Sequence, residues 1–157
     1  MEVSTFLAME SRLNYVDTIE EQRKFSPLIT EILKINQEVV KEGLSALEKY
    51  IRDDKLPILL RKGLRLVHYA VEPQIIETIL LNTAIVNHMD GLTALICMDG
   101  VLSIQKMCSP DITKELLFSY LRLDILEEVN KEVGKLKLDS STPLSAEELQ
   151  KLLNSAE

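Results

Sequence analysis

Ser26-Pro27, Glu72-Pro73 and Ser109-Pro110 each set a residue able to cap a helix before a proline, and the stretches between them carry apolar residues at helical spacing. This punctuation limits the possible folds more than any other feature. At the first helical position a proline loses nothing, because its missing N–H would have no partner there, and a serine before it can accept from the free donors of the first turn. Asp54 offers another cap, for a helix whose first turn tolerates Pro57. Phe6, Met9, Leu13 and Val16 mark a first helix. Ile29, Ile32, Leu33, Val40, Leu44, Leu47 and Ile51 mark a second, with Gly43 inside it. Leu56, Leu60, Leu64 and Val67 mark a third over 55–71. A fourth starts at Pro73 and runs toward 107, with "NHMDG" at 87–91 as a kink or break. A fifth runs from Pro110 toward 135 through Leu116, Leu117, Leu121 and Ile125. No stretch alternates with the period of a strand. The expectation is an all-α chain: a compact bundle of about five helices over 1–137, built from two αα-hairpins, then a linker and a short tail helix over 138–157.

In the tail, "DSSTPLSAEELQKLLNSAE" opens on a polar linker. Ser145 and Glu148 then form a capping box, with Leu144 and Leu149 placed as a hydrophobic staple. A helix this short is marginal alone, so it packs on the domain or docks into a partner's groove through Leu149, Leu152 and Leu153.

The 157 residues suffice for one core, and 46% of them are hydrophobic, which excludes a disordered chain. The net charge of −7 and the absence of Trp speak against nucleic acid and against anionic membranes as partners. No window approaches a membrane-spanning length of apolar residues. The opening "MEVSTFLAMESR" lacks the basic head and apolar run of a secretion signal, so a cytoplasmic setting is expected. Cys97 and Cys108 lack metal-pair spacing and read as reduced thiols.

The segments 42–66 and 99–123, laid side by side without gaps, agree at eight positions, among them Gly43/Gly100, Lys49/Lys106 and Leu64-Arg65-Leu66/Leu121-Arg122-Leu123. Each has a glycine-bearing helix end, a break with a proline and an apolar helix. Glycine inside a helix costs roughly 0.5–1 kcal/mol relative to alanine. The expectation is that Gly43 and Gly100 both sit where two helices approach closely, with simple helix bending as the alternative.

The stretch "KEGLSALEKYIRDDKLPILLRKGLRLVHYAVEPQIIETIL" at 41–80 resembles the cytoplasmic loop of the MotA/PomA family, the ion-driven stator subunits of the bacterial flagellar motor. That loop reads as an EGLLALE word, a short acidic break, a KKGL-L-V helix and a DPE-like cap. Here these parts fall at Glu42–Glu48, 52–54, 61–67 and Glu72-Pro73. "MDGVLSIQKMCSPDITKELLFSYL" at 98–121 is similar to the family's cytoplasmic tail, with its EGILAIQ word and proline break. The transmembrane helices that separate these pieces in the family have no counterpart here, so the resemblance implies a stator-like cytoplasmic region without its ion channel. The implied partners are flagellar switch or rotor proteins, or other motor proteins, met at the cytoplasmic face of the motor; self-association is left open. The family's rotor contact rests on a basic residue just after the LE of the first word, a position held by Lys49. "LSAEELQKLL" also resembles the opening word of flagellar switch proteins of the FliM and FliN type, as any capped amphipathic helix can.

The resemblance and the exposed pattern of charge single out Lys49, Arg52, Asp53, Asp54, Lys55, Arg61, Lys62 and Arg65 as protein-binding residues, with Leu149, Leu152 and Leu153 as a second hook. Against this stands the ordinary reading of such clusters as solvated helix ends. No metal, cofactor or catalytic residue is expected. His68 and His88 lack ligand spacing, Ser103 and Ser119 have no His–Asp partner nearby, and no glycine-rich phosphate loop exists. Glu42, Asp90 and Asp99 read as solvated or capping acids. The chain is therefore expected to be a non-enzymatic component or regulator of the motor. A generic helical adaptor unrelated to motility is the alternative.

Overall fold

A computed structural model describes residues 19–136. The apolar stripe expected over Phe6–Val16 and the tail hook of Leu149, Leu152 and Leu153 lie outside the described residues. In chain order the helices are α1 (Ile19–Arg23), α2 (Phe25–Glu42), a 3-10 turn (Leu44–Ala46) leading into α3 (Leu47–Ile51), α4 (Ile58–His68), α5 (Pro73–Val86), α6 (Gly91–Gln105), α7 (Pro110–Phe118) and α8 (Leu123–Gly134). No strand occurs among the described residues, and the fold is all-α and compact, as the periodicity indicates.

The core is built around α6. Its residues Ala94 to Met98 and Gly100 to Ile104 are all buried, so it has no solvent face apart from Asp99 and its ends. A helix apolar on every side must be surrounded, and α2, α4, α5 and α7 all pack on it. Two glycines set how closely they approach. A Cβ on Gly100 would stand 2.7 Å from Cγ2 of Ile32 on α2, and one on Gly63 of α4 would stand 2.6 Å from Cγ2 of Val101 on α6. Gly100 therefore meets the expectation of close packing. Gly43 does not, since no neighbouring atom lies within 4 Å of where its Cβ would be. Its role is conformational: at φ 85° and ψ 178° it ends α2, and its N–H bonds to the Val39 carbonyl 2.7 Å away. L side chains strongly disfavour that backbone region. The second helix expected to continue to Ile51 is thus two helices with a corner between them. Val40 and Leu44, counted in its apolar stripe, are exposed.

Other boundaries differ for local reasons. Ser109 caps α7 by accepting from the Ile112 N–H at 3.4 Å, with Pro110 as its first residue. Pro73 likewise opens α5. At the start of α2, however, the helix begins at Phe25 and not at Pro27; Pro27 sits in the first turn, where donors are unpaired anyway, and Ser26 caps nothing. Pro57, not Asp54, occupies the N-cap of α4, and Asp54 pairs with Arg61. The break anticipated at 87–91 is present: Asp90 caps α6 by accepting from both the N–H and the hydroxyl of Thr93, each at 2.9 Å. The fifth helix is divided at 119–122. There the buried side chain of Gln22 accepts the Arg122 N–H at 2.9 Å, taking the donor that a continuous helix would have given to Phe118. Two more side-chain amides reach the main chain of distant turns, these as donors. Asn36 donates to the Cys108 carbonyl at 2.9 Å and Gln105 to the Val71 carbonyl at 2.8 Å. Each satisfies main-chain groups in a turn that no ladder reaches.

Candidate functional site

The charged residues expected to bind a partner fall on two surfaces joined by the turn at 52–57. The first surrounds the Gly43 corner. By turning the chain, Gly43 brings α3 back along the end of α2, so that Lys49 pairs with Glu38 and the Tyr50 hydroxyl donates to the same carboxylate. Partial burial pushes the Glu38 carboxyl up, but the hydrogen bonds from Lys49 and Tyr50 and the charges of Lys49 and Lys34 outweigh it, leaving Glu38 below its ordinary value. The Tyr50 phenol is held above its usual range by burial and by the Glu38 carboxylate it contacts. The Lys49 ammonium also lies 5.1 Å from the centroid of the Tyr50 ring. Beside this knot an open cleft of about 430 Å³ is lined by Glu38, Glu42, Glu48, Lys49 and Arg52, with Ser45 and Ala46. Arg52 pairs with Glu48 at 3.3 Å. Acids outnumber bases here, and the cations already have carboxylate partners within the chain.

The turn from 52 to 57 then leads to the second surface. Asp53 accepts the Lys55 N–H at 2.9 Å, which rigidifies the turn, while the Lys55 side chain stays exposed. Asp54 reaches forward to Arg61 at 2.6 Å and joins the turn to α4. Along α4, Leu59, Leu60, Gly63, Leu64 and Val67 face the core. The opposite side carries Ile58, Arg61, Lys62, Arg65, His68 and Tyr69. Ile58 is 59% and Tyr69 68% exposed, large values for apolar and aromatic side chains. Ile58, Arg61, Lys62 and Arg65 bound a shallow groove of about 200 Å³.

All eight charged residues named from the sequence are thus near the surface, but they do not form one cluster. Lys49 and Arg52 belong to an internally paired corner, and Lys62 and Arg65 to a basic face. Sequence reasoning missed Glu38 and Tyr50, because the contact depends on the Gly43 turn; the glycine itself was the signal. It also missed Asp99, read as a solvated or capping acid. Asp99 is half-buried on α6, where it accepts from the Tyr120 hydroxyl, and burial raises its carboxyl above the ordinary value although Tyr120 and Lys106 pull it down.

Burial pushes the Cys97 thiol up to about 12, so it is not a nucleophile at neutral pH. The hydroxyls of Ser45 and Ser119 donate to main-chain carbonyls. Among the described residues no group of three or more His, Cys, Asp or Glu could hold a metal ion, and no helix is long and apolar enough to cross a membrane. Comparison with protein-family models, curated proteins and solved structures gave no match.

Proposed function

We propose that this chain is a non-enzymatic interaction protein of the bacterial flagellar motor. It works at the cytoplasmic face and binds rotor, switch or stator-associated proteins through the charged surface of α3 and α4. The observation that supports this is the placement of the family-like stretch. The 41–80 words that resemble the stator's cytoplasmic loop supply the α3–α4 corner, where Lys49, Arg52, Lys55, Lys62 and Arg65 all reach solvent. A charged, exposed helix corner is suited to weak, electrostatically steered contacts and not to enclosing a small substrate.

Affinity capture of the tagged full chain from motile cells, together with deletion of its gene, tests the proposal. Recovery of switch or rotor proteins and impaired swimming are expected. Unchanged motility and flagellation, with only non-flagellar proteins recovered, would overturn the motor assignment in favour of a general helical adaptor.

A further inference from the structure

The two charged surfaces differ in what they have left to offer a partner, and this difference, which rests on the interaction reading above, selects one of them. At the Gly43 corner Lys49 pairs with Glu38 and Arg52 with Glu48, so binding there must first break contacts within the chain. On α4, Arg61 pairs with Asp54, but Lys62 and Arg65 have no carboxylate partner among the described residues. Lys62 and Arg65 are three residues apart on one helical face and so stand side by side. Ile58 lies one turn before Lys62 and Tyr69 one turn after Arg65, on the same face, and both are largely exposed.

We infer that this face of α4 is the recognition surface and that it takes an acidic amphipathic helix of a partner protein. Two carboxylates three or four residues apart on that helix meet Lys62 and Arg65, and flanking apolar side chains cover Ile58 and Tyr69. Charge complementarity selects the acid: two unpaired cations gain a partner without the loss of an existing ion pair. The apolar brackets and the −7 charge of the whole chain select against a polyphosphate backbone, which the rest of the surface repels and which has nothing to lay on Ile58. The contact thus shifts the recognition residues one helix beyond Lys49, where the stator-like word alone had placed them.

The test uses the full chain, captured at low salt and treated with a carbodiimide that couples lysine amines to carboxylates. Mass spectrometry then locates the couplings. Lys62 should be joined to aspartate or glutamate of a helical partner segment. The double variant K62E/R65E should retain about tenfold less partner or worse, while K62R/R65K retains it. K131E/K135E, an equal change of charge at the end of α8, controls for net charge, and an unchanged urea midpoint shows that each variant is folded. Couplings confined to 49–55, equal losses in both glutamate doubles, coupling of Lys62 to the chain's own tail, recovery of nucleic acid in the partner's place, or no coupled partner at all would each overturn the inference. Identity is read separately. A non-flagellar partner coupled at Lys62 would sustain the acidic-helix contact and defeat the motor assignment, and a rotor protein coupled at Lys49 or Lys55 would do the reverse.

Discussion

Replacing Gly100 with alanine adds one methyl group in the middle of α6, where helix propensity alone would favour the change by about 1 kcal/mol. The packing opposes it. The new Cβ would lie 2.7 Å from Cγ2 and 2.9 Å from Cδ1 of Ile32, inside the 3.4 Å at which ordinary contact begins. Ile32 is fully buried, and a β-branched side chain on a helix has one strongly preferred χ1, so Cγ2 cannot swing away. Relief requires α2 and α6 to separate, and overpacking of this kind costs about 1–3 kcal/mol. The expected net effect is a loss of about 0–2 kcal/mol, read as a lower urea midpoint at unchanged m. Ile32→Ala removes all three atoms that crowd the new methyl. In a double-mutant cycle the two substitutions together should therefore cost less than their sum, by about 1–2 kcal/mol. Gly43→Ala serves as the contrast. It should also destabilise, by about 1–3 kcal/mol, but from its backbone conformation alone, so that trimming Ile32 rescues nothing. Strict additivity of Gly100→Ala with Ile32→Ala, or a Gly100→Ala protein more stable than the parent by the full propensity gain of about 1 kcal/mol, would refute the close-approach argument.

Ala70, His88 and Met107 each adopt positive φ just past the ends of α4, α5 and α6, where the following N–H closes back on Leu66, Ala84 and Ser103 respectively. Glycine at any of the three should raise stability by about 0.5–1 kcal/mol, measured calorimetrically; a fall would mean that the side chain is doing something beyond occupying the position. Asp99 has a raised carboxyl in the folded state, so its contribution is present below its unfolded value and is lost as pH rises through the folded one. Asp99→Asn, which keeps an acceptor for Tyr120, should gain stability relative to the parent as pH rises from acid to neutral, and a constant difference across that range would count against burial as the cause. Glu38 has the opposite sign: its lowered carboxyl stabilises above the ordinary carboxylate range and the contribution fades as pH falls through the folded value. Glu38→Gln should cost stability at neutral pH and flatten the acid limb of a melting-temperature profile. Asp90→Ala removes both bonds to Thr93 and should cost about 1 kcal/mol, with α6 fraying at its start in amide exchange.

The sequence by itself determined that the chain is helical and where several helices must begin. Proline and its capping neighbour act through one or two residues, so Ser109-Pro110, Glu72-Pro73 and the break before Gly91 are legible without a fold. It also placed the charges of α3 and α4 near the surface, because a charge avoids a core that offers no partner, but it misread Asp99, which is half-buried against Tyr120. The tertiary structure decided what could not be read locally. Gly43 and Gly100 stand in nearly the same word, yet one turns a corner and the other makes room for Ile32. That difference lies in what packs opposite them, and no spacing records it. The division of the last helix depended on Gln22, one hundred residues earlier in the chain, reaching the Arg122 N–H. The same holds for the charges. Lys49 and Lys62 look alike in the chain, and only the return of α3 along α2 gives Lys49 the Glu38 carboxylate and leaves Lys62 without one among the described residues. Capping and period are local and survive in the sequence, whereas pairing between distant side chains exists only once the chain has folded.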